Sequence, residues 1–404
     1  MAVARWRRRP DLRPFLEGLL VAVAVLALVH APGWVSGLRA PASAADPAFP
    51  STIARYSWYT GMLSEDRFAV ASLMYQNGVG VEFYDIPQSV LLSTDGSTYR
   101  RLDEAESSSI PEDQGDPAVS VLSADGTFVV VGSAGRTGEV QVVTLADGRR
   151  LPVPVGDGRA ALPLSIGLDG RTVLLGTSDE VVNRYADTDD LRLAVLDLPT
   201  GQVVDHPGVT GVHAAALSPD GSRIAVTSNR GVELLDPRTG RVTATLDRSS
   251  QLTLEGDAWS PDGRLVALVD ERSLVVVDVS GPRPVERRLP FSGVEHASAI
   301  GWRDPSTVLV HGSTDLTANT SQLSWLDTVT GEQQDFASYT PNFTGAALLD
   351  ADAARELVPR WQVAGRLVDR GPRPLPLTIG LAAAAGLVAA GLARAARVRR
   401  GRPG

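Results

Sequence analysis

The chain has 404 residues, 43% of them hydrophobic, with 39 glycines, 27 prolines and no cysteine. That is globular rather than disordered composition, and it excludes disulfides and thiolate metal sites. All 38 basic residues are arginine, as in proteins of GC-rich genomes, and the two ends, 1–14 and 394–404, carry a net positive charge, so the residues between are more acidic than the overall net charge of −9; such a surface repels phosphate backbones and excludes nucleic acid as a partner.

In chain order, residues 1–14 are a basic N-terminus and 15–35 an apolar segment containing GLLVAVAVLALV (Gly18 to Val29). This segment is expected to be a retained transmembrane helix or signal anchor. The alternative is a cleaved signal peptide ending at Ala42-Ser43-Ala44, a site farther from the apolar run than is usual. Residues 36–50 read as a Pro/Ala-rich linker. At the other end Leu375 to Ala393 carries no charge and is followed by a basic tail, 394–404. As a helix it spans roughly 28 Å, about one hydrocarbon core. Arginine flanks the outer end of both segments, which predicts two transmembrane helices with both termini cytoplasmic and the body outside. Ala382, Gly386 and Ala390 form a stripe of small residues, matched briefly by Gly18 and Ala22, so the two helices are expected to pack on each other.

Between the ends one short phrase recurs. LSPDGSRIAV starts at Leu217 and WSPDGRLVAL at Trp259; the same pattern surrounds Asp125-Gly126, Asp169-Gly170 and Asp304-Pro305. A β-branched residue stands four places after each Asp: Val129, Val173, Ile224, Val266 and Val308. Each phrase is followed by a second one, as in LAVLDLPTGQVV, VELLDPRTGRV and LSWLDTVTGEQQ. Both are hairpins: Asp bonds back to nearby backbone N–H groups and Gly takes the positive φ that the turn needs. One repeat therefore holds four antiparallel strands, A to D, over roughly 40–45 residues, the length of a propeller blade.

The SPDG phrase before an apolar strand resembles both the WD40 repeat and the TolB-type propeller repeat, and the [LV]-D-x-x-T-G phrase resembles the third-strand end of WD40 repeats. Leu196-Asp197, Leu235-Asp236 and Leu326-Asp327 stand where WD40 repeats carry Trp-Asp. The resemblance implies an all-β fold, a β-propeller over 51–345 with six or seven four-stranded blades; the two expected transmembrane helices flank it. The first blade is expected to take Tyr56 to Tyr59 as strand A and Arg67 to Tyr75 as strand B. Residues 341–374 close a seventh blade with the N-terminal strand or, as AARELV (Ala353 to Val358) suggests by suiting a helix, serve as a membrane-proximal stem over 346–374.

In a propeller the A–B and C–D turns lie on one face and the B–C and D–A loops on the other. The long loops here are 103–117, 177–190 and 312–322, and elaborated loops on a rigid scaffold are where function sits. Glu104, Asp113, Asp116, Asp187, Asp189, Asp190 and Asp315 are therefore the candidate partner-binding residues, for a cationic partner or a divalent cation, against the alternative of a solvated acidic rim. His30, His206, His213, His296 and His311 show no metal-ligand spacing, and no phosphate loop or G-x-S-x-G elbow occurs. STDGSTY (Ser93 to Tyr99) resembles the Asp-box of sialidase propellers, one residue short, and is a turn element. Trp259, Trp302 and Trp325 fall in expected strands, as blade packing. No cofactor and no catalytic residue is expected. The reading is a non-catalytic, membrane-tethered extracytoplasmic module that binds another protein or an envelope component; the alternative is a propeller enzyme, a glycosidase or lyase acting on envelope polymers.

Overall fold

The computed structural model describes residues 19–24, 47–78, 87–183, 190–247, 252–254, 257–270, 273–290, 296–313, 321–339, 349–365, 367–371 and 375–400. The chain divides into two compact units, Ala44–Asp369 and the paired ends Met1–Ser43 with Arg370–Gly404.

The larger unit is a six-bladed β-propeller. Blades 2, 3 and 4 each take four consecutive strands: Ser120–Leu122 to Arg150–Pro154, Ala160–Ile166 to Gln202–Thr210, and Val212–Leu217 to Val242–Asp247. Blade 5 pairs Leu265–Asp270, Ser273–Asp278 and Val285–Pro290, and its strand A is present as the bridges Thr253↔Val269 and Trp259↔Val266. Blade 6 runs from His296–Asp304 to Gln333–Tyr339. The A strands of neighbouring blades touch one another, which makes them the inner ring.

Stacking explains the sequence of the B and C strands. A blade is covered on both faces, so successive residues enter different cores and the strand reads as an unbroken β-branched run rather than an alternation. In FVVV, Val129 and Val131 join the core shared with blade 1 while Val130 joins that shared with blade 3. Val173 and Leu175 face blade 2, and Leu174 faces blade 4. The outer strands are half solvated, as in Gln202–Thr210. The expected Trp packing holds: the Trp259 indole donates to the Ala216 carbonyl of blade 4 at 3.0 Å, and Trp302 to the Asp257 carbonyl of blade 5 at 3.2 Å.

The recurring turns contain one partner more than the Asp and Gly. Ser218 donates its hydroxyl to Asp220 (2.7 Å) and accepts the Arg223 amide (2.9 Å), while Asp220 accepts the Ser222 amide (3.0 Å) and Gly221 sits at φ +69°. Ser123 with Asp125 and Ser260 with Asp262 repeat the arrangement. In the second phrase Asp197, Asp236 and Asp327 accept the amides of Thr200, Thr239 and Thr330. The Ser218 hydroxyl and Ser222 hold the Asp220 carboxyl down at about 2, and Arg264 with Ser280 does the same for Asp278. Asp197, Asp236 and Asp327 are also lowered. Depressed carboxylates stabilise the fold above their unfolded value, and that stability is lost as pH falls through the folded one. The melting temperature of the full chain is therefore expected to fall between about pH 4 and pH 2, and Asp220→Asn with Asp278→Asn to flatten that slope. Each contribution is modest because these carboxylates keep solvent contact.

Ring closure differs from the sequence-based expectation. Blade 1 comprises Ala71–Asn77, Gln88–Ser93 and Tyr99–Arg101, and its inner strand is Leu349–Ala353, supplied by the C-terminal segment and antiparallel to Ala71–Asn77. Residues 56–59, expected as that strand, form a loop instead. Residues 349–365 and 367–369 of the expected stem thus belong to the propeller unit, and there is no seventh blade among the described residues. At the other end Thr52–Ile53 adds a fifth strand, in parallel, to the outer edge of blade 6. Ala48–Phe49, expected in the linker, pairs with Gln362–Val363, and Phe49 stacks on Trp361 with ring centroids 4.3 Å apart. Both ends bury apolar side chains in one core: Phe49 and Ile53 from one, Ala353, Leu357, Val358 and Trp361 from the other. That burial, which a stem in water would forgo, is the reason for the difference.

In the smaller unit Leu375–Arg400 is helical, as is the stretch 19–24. The rest of the expected span 15–35 lies outside the described residues. Ala382 and Gly386 of the small-residue stripe are buried, whereas Ile379, Leu387, Val388 and Leu392 are exposed. Among the described residues no helix is long and apolar enough to cross a membrane.

Candidate functional site

The two faces of the propeller unit differ. Its N-terminal end is fixed at the C–D turn of blade 1, where the Ala48 amide donates to the Thr94 carbonyl; its C-terminal end is fixed at the same turn, where the Asp369 amide donates to Ser97 and its carbonyl accepts from Tyr99. Both ends therefore leave from the turn face. The Asp-box-like STDGSTY is this turn: Asp95 accepts the Ser97 and Thr98 amides at 2.7 and 2.8 Å.

On the turn face the chain reaches across the ring. The stretch Asp352 to Val358 touches residues of five blades. The Ala354 amide donates to Ser72 of blade 1, and the Glu356 amide to Ala124 of blade 2. Asp352 accepts the Leu122 amide of blade 2 at 2.6 Å. Arg355 donates to the Ile166 carbonyl of blade 3 and pairs through Nε with Asp257 of blade 5 at 2.8 Å. Gly301 of blade 6 leaves room for Val358, which a Cβ there would approach to 3.1 Å. Burial pushes the Asp352 carboxyl up to about 6, against the lowering effect of the Leu122 amide and Arg355. The Leu122 amide thus holds the Asp352 carboxyl, and the Arg355 guanidinium holds that of Asp257. Sequence reading missed this group because Arg355 lies in AARELV, whose apolar and charged residues carry no periodic sign of crossing a ring.

The opposite face carries the long loops. The structure brings Glu104, Asp113 and Asp116 into one of them and turns them inward. The helix Asp103–Ser107 places Glu104 and Asp103 against Arg150, and Glu106 pairs with Arg101. Asp113 is buried and accepts the Ile110 amide at 2.9 Å, closing the 3₁₀ turn Pro111–Asp113. Asp116 is buried and accepts from the Gln76 side chain at 2.9 Å. Asp190 is exposed. Asp187, Asp189 and Asp315 lie outside the described residues. No cluster of three metal-ligating side chains occurs among the described residues.

What this face does present is aromatic. The loop 54–61 lies at its blade 1–blade 6 seam, held by the Gln88 side chain on the Ser57 carbonyl (3.1 Å) and by the Arg101 amide on the Gly61 carbonyl (2.8 Å). At its tip Trp58 is 52% and Tyr59 42% exposed, with Tyr56 edge-on to Trp58. His206, His213 and His311 serve structure. His206 meets the Pro237 carbonyl at 2.9 Å, His213 the Asn229 side chain at 2.6 Å, and burial pushes the His311 imidazole down to about 4.

No protein-family model and no curated protein matches the chain. Among solved structures it is similar to TolB from Acinetobacter baumannii, at 17% identity over 67% of each chain with a TM-score of 0.45. It is also similar to an oligogalacturonate lyase from Vibrio parahaemolyticus, at 12% identity over 67% of this chain and 79% of that one with a TM-score of 0.43. A manganese complex of an oligogalacturonate lyase matches at 14% identity over 70% and 77%, with a TM-score of 0.44. These likenesses concern the propeller fold and carry no argument about activity.

Proposed function

We propose that the chain is a non-catalytic binding module, a propeller held on the extracytoplasmic side of a membrane by its Arg-flanked ends, which engages a protein or envelope component through its long-loop face. The observation that carries this reading is the asymmetry of the propeller unit. Both ends of the propeller unit and the Arg355 closure occupy the turn face, which leaves the opposite face, with Trp58 and Tyr59 at its seam, for a partner. Aromatic side chains that remain exposed supply large contact area at small conformational cost. The acidic loop 103–117 contributes shape more than charge, since Asp103, Glu104, Glu106, Asp113 and Asp116 are engaged by Arg150, Arg101, the Ile110 amide and the Gln76 side chain. Membrane tethering rests on the sequence: nineteen uncharged residues, Leu375 to Ala393, precede Arg394, Arg397, Arg399 and Arg400.

Photo-crosslinking in native membranes tests the binding face. A benzophenone amino acid at Trp58 or Tyr59 is expected to capture a discrete partner, whereas the same probe at Thr200 or Thr239, in C–D turns of the other face, is expected to capture none. Equal capture from both faces, or capture from the turns alone, would overturn the assignment. Topology reporters fused after Asp46 and after Gly404 are expected to report opposite sides of the membrane; identical reports would remove the tether.

A further inference from the structure

We propose that blade 3 carries a binding site for a small carboxylate ligand, where the guanidinium groups of Arg159 and Arg192 converge on a cavity of about 380 Å³ and the Asp179 side chain occupies the place of the ligand's carboxylate. The cavity is lined by these three residues with Asp205 and Pro207.

The site is built by local backbone features rather than by chance contact of long side chains. Arg159 follows the turn Gly156-Asp157-Gly158, with φ +124° at Gly156 and +65° at Gly158; a Cβ at Gly156 would stand 2.8 Å from the Arg159 stem. The guanidinium is then fixed on two edges. Nη2 donates to the Thr177 hydroxyl at 2.8 Å and to Asp205 at 2.8 Å, and Nη1 to Asp205 and the Val155 carbonyl at 3.3 Å each. Nε remains, buried and without a hydrogen-bond acceptor; the Asp179 carboxylate stands 3.9 Å away, in ion-pair range but beyond a hydrogen bond. An oriented guanidinium with one unused N–H, beside a second guanidinium at Arg192, suits a carboxylate oxygen.

Arg192 reaches the same cavity because the sheet slips there. Arg192 pairs with Thr210 but Leu193 with His206, so Pro207, Gly208 and Val209 bulge out of the outer strand. Bulges re-aim neighbouring side chains and recur beside binding sites. Arg192 pairs with the other oxygen of Asp179, whose side chain is 63% exposed. Among the described side chains three arginines act on Asp179, since Arg136 also stabilises its charge behind Arg192 and Arg159. Asp179 is thus an exposed carboxylate on a cationic cradle whose buried donor it does not reach, and an incoming carboxylate that reaches it displaces Asp179 at little cost, because an exposed ion pair contributes little.

This inference stands apart from the tethered-module reading and needs only the folded propeller. The full chain is titrated at low salt by calorimetry with D-glucuronate, D-glucose, acetyl-Ala-Ala and acetyl-Ala-Ala amide. A carboxylate compound is expected to bind and its neutral counterpart not to. Glucuronate alone binding assigns a sugar acid, and the free peptide alone binding assigns a chain terminus. Asp179→Asn, which removes the competing charge, is expected to tighten binding several-fold, and Arg192→Gln, at a partly exposed position that keeps the fold, to weaken it about tenfold or more, in the range of one charge-assisted bidentate contact. No binding by either the parent chain or Asp179→Asn, or binding that Arg192→Gln leaves unchanged, would overturn the proposal.

Discussion

Arg355→Ala is expected to destabilise the propeller by about 3–5 kcal/mol, the cost of taking one partner from a buried ion pair. Arg355 pairs with the buried Asp257 and also bonds the Ile166 carbonyl, so its removal leaves a carboxylate of blade 5 inside the ring without its cation and cuts a link to blade 3. The loss should depend on pH. Arg355 also lowers the Asp352 carboxyl, which burial has pushed up to about 6. A carboxyl raised in the folded state contributes stability below its unfolded value and loses it as pH rises through the folded one. Without Arg355 the charged form of Asp352 is harder still to hold, so the variant should lose more stability at pH 8 than at pH 5. Urea unfolding at both pH values measures this; a loss under 1 kcal/mol at pH 8 would show that the ring is not held by this pair.

The second large effect is expected at the ring closure. Ala353→Asp places a carboxylate at a fully buried position where the C-terminal strand meets Leu73 of blade 1, inside the core that joins blades 6, 1 and 2. A buried charge without a partner costs several kcal/mol, roughly 4 or more here, enough to open a marginally stable ring. Melting of the variant should be broad and should begin with loss of near-ultraviolet signal from the aromatic group Phe49, Trp325, Phe336 and Trp361. The same change at Val363, which is half exposed and outside that core, should have little effect. Equal stability of the Ala353 and Val363 variants would mean that the C-terminal strand does not close the ring.

The sequence alone determined the blade. Four strands per repeat, the Asp-Gly corners, and β-branched runs at Val129, Val173, Ile224, Val266 and Val308 are local properties, because a turn needs a positive φ and a strand covered on both faces needs apolar residues throughout. The inward Trp259 and Trp302 were legible for the same reason. Only the tertiary structure decided how the ring closes, what reaches across it and which loop residues face outward. Leu349–Ala353 and Thr52–Ile53 are short, carry no turn phrase of their own, and become strands because an unpaired sheet edge is waiting for each. Asp113 and Asp116 look in sequence like solvated acid, yet they are buried because Ile110 and Gln76 offer them donors. Arg355 and Arg159 look like ordinary surface arginines, and they acquire their partners from residues far along the chain: Asp257 and Ile166 for one, Asp205 and Thr177 for the other. Local pattern sets the period of a chain, but which distant groups a charged side chain meets is settled only when the blades come round to face each other.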